Sequence, residues 1–242
     1  MKYKLLKLLF LASLFIGQSA YAIEPLSIKY VDPKASEKAD SLYNEAHRLS
    51  EQGKYEKAIE LYKSSYEYKI SADVLNNLAA TFEKIKDYDN AIKWYRKAIN
   101  EGSSLGALNL GLLFDEKLSD IKNAKVNYQI AYNLGNSDAA YNLALLYEEK
   151  LHDIPNAIKW YKKAIQKGHI SAIKNLGYLY RTEKKDNLLG SAYMIGLIDK
   201  KYSKEKVFDY LRNTLKIDEP TLKKAYELQK TLVPNPYTGG IE

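Results

Sequence analysis

The sequence predicts an all-α fold, an α-solenoid of about five antiparallel helix pairs finished by C-terminal capping helices. Three observations carry it: a period of 33 residues, small residues recurring at helical offsets from aromatic ones, and turn residues recurring where helices must reverse. The first small column is Ala46, Ala79, Gly111, Ala144 and Gly177, followed three residues on by Leu49, Phe82, Phe114, Tyr147 and Tyr180. A second small column, Ala58, Ala91, Ala124, Ala157 and Gly190, is followed four residues on by Tyr62, Tyr95, Tyr128, Tyr161 and Met194. Offsets of three and four keep each set on one helix face, so each unit reads as two amphipathic helices.

The ends of those helices are marked as well. Asp87, Asp120, Asp153 and Asp186 recur just before each second helix, where a carboxylate accepts bonds from free amides. Gly102, Gly135 and Gly168 recur where second helices end, a position suited to a left-handed backbone. Pro155 falls in a first helical turn, where its missing amide hydrogen costs little. Units one and two keep 12 residues between their small columns and the next three keep 13, which reads as a one-residue insertion in the turn.

Around this array the chain divides by composition. Residues 1–22 read as a signal peptide: Lys2, Lys4 and Lys7 precede the apolar run Leu8 to Ile16, and Ala20-Tyr21-Ala22 offers a cleavage site. The expectation is export, to the periplasm, with cleavage after Ala22. Residues 23–38 read as an exposed leader, 39–201 as the solenoid, 202–232 as capping helices and 233–242 as a flexible tail containing Pro234, Pro236, Gly239 and Gly240. No later run reaches the roughly 20 apolar residues of a membrane span.

Composition narrows the function. The chain has 242 residues, no cysteine, and 37 basic against 30 acidic side chains; losing three signal-peptide lysines leaves 34 against 30, too mild a balance to indicate nucleic acid. His47, His152 and His169 share no metal-ligand spacing, and no nucleophile elbow or phosphate-binding glycine loop occurs. Neither a catalytic residue nor a metal or cofactor is expected, and the chain reads as a non-enzyme. Lys93, Arg96, Lys97, Lys159, Lys162 and Lys163 fall on second helices as a solvated basic face, where Trp94 and Trp160 are expected to pack between units.

These columns resemble tetratricopeptide repeats and, in the strings Ala157-Ile-Lys-Trp-Tyr-Lys-Lys-Ala164 and Asn175-Leu-Gly-Tyr-Leu-Tyr180, the related Sel1-like repeats. The resemblance implies a protein- or peptide-binding groove on the inner face of the first helices. Asn44, Asn77, Asn109, Asn142 and Asn175 stand two residues before the first small column in every unit. A primary amide donates and accepts together, so an asparagine row suits an extended peptide backbone; the competing reading is that each amide bonds the neighbouring helix. Tyr141, Lys174 and Tyr178 join this candidate groove, with Tyr43, His47, Asn76, Leu108, Leu112 and Leu145 beside them. Asp73, Asp138, Glu148 and Glu149 make the face lean acidic, and the basic half of the family's carboxylate clamp is missing at Asp40, Asp73, Leu105, Asp138 and Ser171. The partner is therefore expected to be a protein or peptide, and the chain a monomer. A second reading from the same resemblance is a periplasmic immunity protein neutralising a phospholipase-type toxin of type VI secretion. A third, an envelope enzyme of the cysteine-paired Sel1-like kind, fails because the chain has no cysteine.

Overall fold

The computed structural model describes residues 32–241. The signal peptide and most of the leader lie outside them. Among the described residues are twelve helices, of which the first ten pair antiparallel in chain order: α1 (Pro33–Glu51) with α2 (Tyr55–Tyr68), α3 (Ala72–Lys84) with α4 (Tyr88–Asn100), and α5 (Ser104–Leu112) with α6 (Ile121–Asn133). The series continues with α7 (Asp138–Leu145) and α8 (Ile154–Gln166), then α9 (Ile170–Thr182) and α10 (Asn187–Ile195); α11 (Lys204–Asp209) and α12 (Glu219–Leu232) follow, both packing on α10.

The small columns let helices meet closely. Ala46, Ala79, Ala91, Ala124, Ala144 and Ala157 are fully buried, and a Cβ on Gly111 would stand 2.5 Å from the Tyr128 ring. Tyr62, Tyr95, Tyr128 and Tyr161 fill the space between helices and are almost wholly buried. The expected caps form: Asp87, Asp120, Asp153 and Asp186 accept the amides of Asn90, Asn123, Asn156 and Leu189 at 3.2, 3.0, 3.1 and 2.9 Å. Gly102, Gly135 and Gly168 adopt φ of 84°, 96° and 82°, where a side chain would be strained.

Three expectations need correction. The extra residue of the third and fourth units lies inside the helix, as the last turns of α5 and α7 widen into π turns at Leu113–Lys117 and Leu146–Lys150, whereas in the fifth unit α9 ends at Thr182 and the turn takes it up as expected. The physical signature is the closing bond. Asp87 N reaches back five residues to Phe82 O, whereas Asp120, Asp153 and Asp186 reach back six, to Phe114, Tyr147 and Tyr180; the loops at 118–120 and 151–153 keep the length of 85–87. The C-terminal helices cap the fifth pair: α12 packs on α10, and α11 ends in a π turn at Tyr210–Thr214, with Ile217 N reaching back six residues to Leu211 O.

The last two concern the ends of the described chain. α1 starts at Pro33, inside the expected leader, where Pro has its φ pre-set for a first turn. Its early turns are held by Ser65 Oγ donating to Ala39 O at 2.8 Å. Residues 233–241 pack back on α12 rather than forming a free tail. Val233 and Tyr237 are buried, and the fully buried Gln229 amide donates to Tyr237 O at 2.6 Å while accepting from Tyr237 N at 3.2 Å. Tyr226 Oη donates to Thr238 O and Arg212 to Ile241 O, both at 3.0 Å. Burying Gln229 without those partners would strand its amide, so the tail is needed where it is.

Candidate functional site

First helices approach one another more closely than second helices do, α1 with α3 and α3 with α5, so they make the inner row of the array. Along this row each asparagine faces the residue 33 or 34 positions earlier, on the preceding first helix. Asn77 Nδ2 donates to Tyr43 Oη at 2.8 Å, Asn109 Nδ2 to Asn76 Oδ1 at 3.0 Å, and Asn175 Nδ2 to Tyr141 Oη at 3.2 Å. These three amides clamp successive units together. At the joint between the third and fourth units the position equivalent to Tyr43, Asn76 and Tyr141 is Leu108, whose side chain cannot accept, and the Asn142 side chain makes no hydrogen bond among the described residues. Asn44, exposed on α1, also makes none.

Behind the asparagines runs a second series that the sequence reading passed over. Three of the buried second-helix tyrosines donate to the carboxylate that follows the aromatic column: Tyr95 to Glu83 at 3.0 Å, Tyr128 to Asp115 at 3.2 Å, and Tyr161 to Glu148. Burial, reinforced by the facing carboxylate, pushes all three hydroxyls well above the ordinary tyrosine range. They stay protonated donors that hold the acids in place. The signal was present in sequence, since Glu83, Asp115 and Glu148 each directly follow Phe82, Phe114 or Tyr147.

At the fourth joint the two series merge. Tyr161 Oη lies 3.3 Å from Asn175 Nδ2 as well as against Glu148, and the Tyr141 ring stacks on His169 with centroids 4.2 Å apart. Burial lowers the His169 pKa, while Asp138 at 3.7 Å from Nε2 pulls it up. Of the remaining groove candidates, Lys174 is exposed, and Tyr178 is 55% exposed with the Arg181 guanidinium 5.4 Å from its ring centre. Tyr178 closes an inner-face stripe whose earlier members, Ala80, Leu112 and Leu145, are half-buried, each three residues beyond an asparagine.

The outer row carries a different repeated arrangement. Trp94 and Trp160 pack edge-on to Tyr66 and Tyr132 of the preceding unit at 5.6 and 5.3 Å, as expected of inter-unit aromatics. Lys97 and Lys163 lie over the indoles at 4.1 and 3.8 Å. Among the described residues no cluster of His, Asp or Glu is arranged to hold a metal, and no helix is long and apolar enough to cross a membrane.

Comparison with known proteins agrees with this architecture. A tetratricopeptide repeat model matches residues 43–105, and a Sel1 repeat model matches residues 137–169. Among solved structures, the chain is similar to c5321, a protective antigen present in uropathogenic Escherichia coli strains with an SLR fold, at 22% identity and a TM-score of 0.59, over 80% of this chain and 45% of that one. It is also similar to Pseudomonas aeruginosa pilF, at 19% identity and a TM-score of 0.58 over 84% of this chain and 95% of that one. A Sel1 repeat protein from Oxalobacter formigenes matches at 20% identity and a TM-score of 0.50, over 82% and 90% of the two chains. At these identities the likeness concerns the fold. No curated protein matches the chain.

Proposed function

The chain is built of tetratricopeptide and Sel1-like repeats, a fold that commonly mediates protein–protein interaction, and on that premise we propose that it is an exported, non-enzymatic module gripping a protein or peptide on its inner face. The observation that carries this reading is the stripe Ala80, Leu112, Leu145 and Tyr178, left partly uncovered beside a row of side-chain amides. Apolar and aromatic surface flanked by hydrogen-bonding groups is the composition of a recognition site. The test is capture of a partner from envelope extract by the tagged full chain, repeated with Leu112→Glu and Leu145→Glu. Loss of the captured protein at an unchanged melting temperature supports the inner face; undiminished capture moves the site elsewhere.

Export rests on Lys2, Lys4, Lys7, the run Leu8 to Ile16 and Ala20-Tyr21-Ala22. A mature protein starting at Ile23, read by N-terminal sequencing, supports it, and an intact Met1 overturns it. Neutralisation of a phospholipase-type toxin is a narrower form of the same binding role. It requires that deletion leave cells sensitive to their siblings, and a neutral deletion removes it.

A further inference from the structure

We infer that the joint between the third and fourth units is the recognition point, and that it takes an extended peptide segment carrying an arginine or lysine. This rests on the reading of the inner face as a binding surface. At every other joint of the row the asparagine amide is already used by the preceding unit, by Tyr43, Asn76 or Tyr141. Only at the third is the equivalent position an alkyl side chain, Leu108, which leaves the Asn142 amide with donors and an acceptor to offer.

A second unpartnered group stands in the same pair of units. Asp115 uses Oδ2 to accept from Tyr128, while its Oδ1 is shielded from solvent and has no hydrogen-bond partner. At the fourth joint the equivalent elements close into one chain, Glu148 to Tyr161 to Asn175 to Tyr141. At the third the chain stops at Tyr128, with the unpartnered, shielded oxygen of Asp115 on one side of the break and the Asn142 amide on the other. A shielded carboxylate oxygen without a partner is costly, so a cationic donor brought to it is favoured.

The surrounding charge selects the same partner. Glu116, Asp138, Glu148 and Glu149 lie on α5, α7 and their π turns around this joint. Of the cations on these elements, Lys117 already faces Glu116 at 3.9 Å, which leaves Lys150. Peptide carbonyls would accept from Asn142 Nδ2, and a guanidinium or ammonium would donate to Asp115.

The test is fluorescence anisotropy of the full chain with a labelled peptide Gly-Ala-Arg-Ala-Arg-Ala-Arg-Ala and its glutamate counterpart. Saturable binding of the arginine peptide is expected, weakened about tenfold by Asn142→Leu and again by Asp115→Asn, the loss of one good hydrogen bond each. Asn109→Ala is expected to leave the affinity within about twofold, because that amide is already engaged. Circular dichroism melts establish that each variant is folded; Leu108→Tyr, which offers Asn142 an internal acceptor, is a second route to the same loss of binding. Preference for the glutamate peptide, or affinity unmoved by Asn142→Leu and Asp115→Asn, overturns the inference while leaving the inner-face reading standing. Absence of binding by either peptide overturns it too, and the partner capture described above then judges the broader reading separately.

Discussion

The third and fourth joints are built from the same slots, yet one is closed and the other open. In the fourth, Tyr141 accepts from Asn175, Tyr161 bridges Asn175 and Glu148, and His169 stacks on Tyr141. In the third, Leu108, Asn142, Tyr128 and Asn136 stand in those places, and the amide row is interrupted. The difference teaches that the asparagine column has no single meaning. The same amide is mortar where its neighbour can accept, and is free for a partner where its neighbour cannot. Cohesion between units is a nearest-neighbour property in an array of this kind, so one joint can be relaxed without loosening the rest.

The largest test of this contrast truncates the two bridging tyrosines. Tyr161→Ala is expected to cost about 3–5 kcal/mol, as for other large buried aromatics. Tyr128→Ala should cost about 1 kcal/mol less, since Tyr128 ties down no amide of the next unit. Urea denaturation measures both, and equal losses would remove the distinction between the joints. Overpacking the framework that both joints share comes next. Ala144 is fully buried on α7, and Ala144→Leu should cost about 1–3 kcal/mol by the same measurement. An unchanged transition would mean the assigned helix register is wrong.

Exchanging the acceptors is a smaller and sharper test. Tyr141→Leu should open the fourth joint at a cost of about 1 kcal/mol or more, leaving Asn175 with Tyr161 alone. Leu108→Tyr should close the third with a gain of about 0.5–1 kcal/mol, read from thermal melts; a loss would show that the slot has no room for the ring. The smallest effect is on pH. Burial holds the folded His169 below its ordinary pKa, so the unfolded chain takes up a proton first as pH falls through about 6.5. Stability is therefore fully present above that pH and declines below it, levelling once the folded site protonates too. His169→Asn, which copies the third joint, should flatten the dependence of melting temperature between pH 7.5 and 5, and an unaltered slope would exclude His169 as its source.

Most of the architecture could be read in the sequence because it is written as periodicity. Small columns, capping aspartates and left-handed glycines each recur at fixed spacing and act within one helix or one turn. The site was legible to a smaller degree. The asparagine column was visible, but its partners lie on another unit, and only knowing which first helices touch distinguishes Asn142 from Asn109. The π turns were visible as an extra residue whose place was ambiguous, since a spacing does not say whether helix or loop absorbs it. The packed tail was missed for another reason. Pro234, Pro236, Gly239 and Gly240 carry no period, and what holds this stretch is Gln229, a single polar residue buried on α12.

The two indoles of the outer row offer an optical consequence. Trp94 and Trp160 are the only tryptophans in the chain, they occupy near-identical surroundings, and they sit in the units on either side of the third. Single-tryptophan variants, made with Trp94→Phe or Trp160→Phe, therefore report by emission wavelength on the two halves of the array independently. Coincident midpoints would mean that unfolding crosses the interrupted joint in one step, whereas separated midpoints would locate the boundary between two cooperative blocks there.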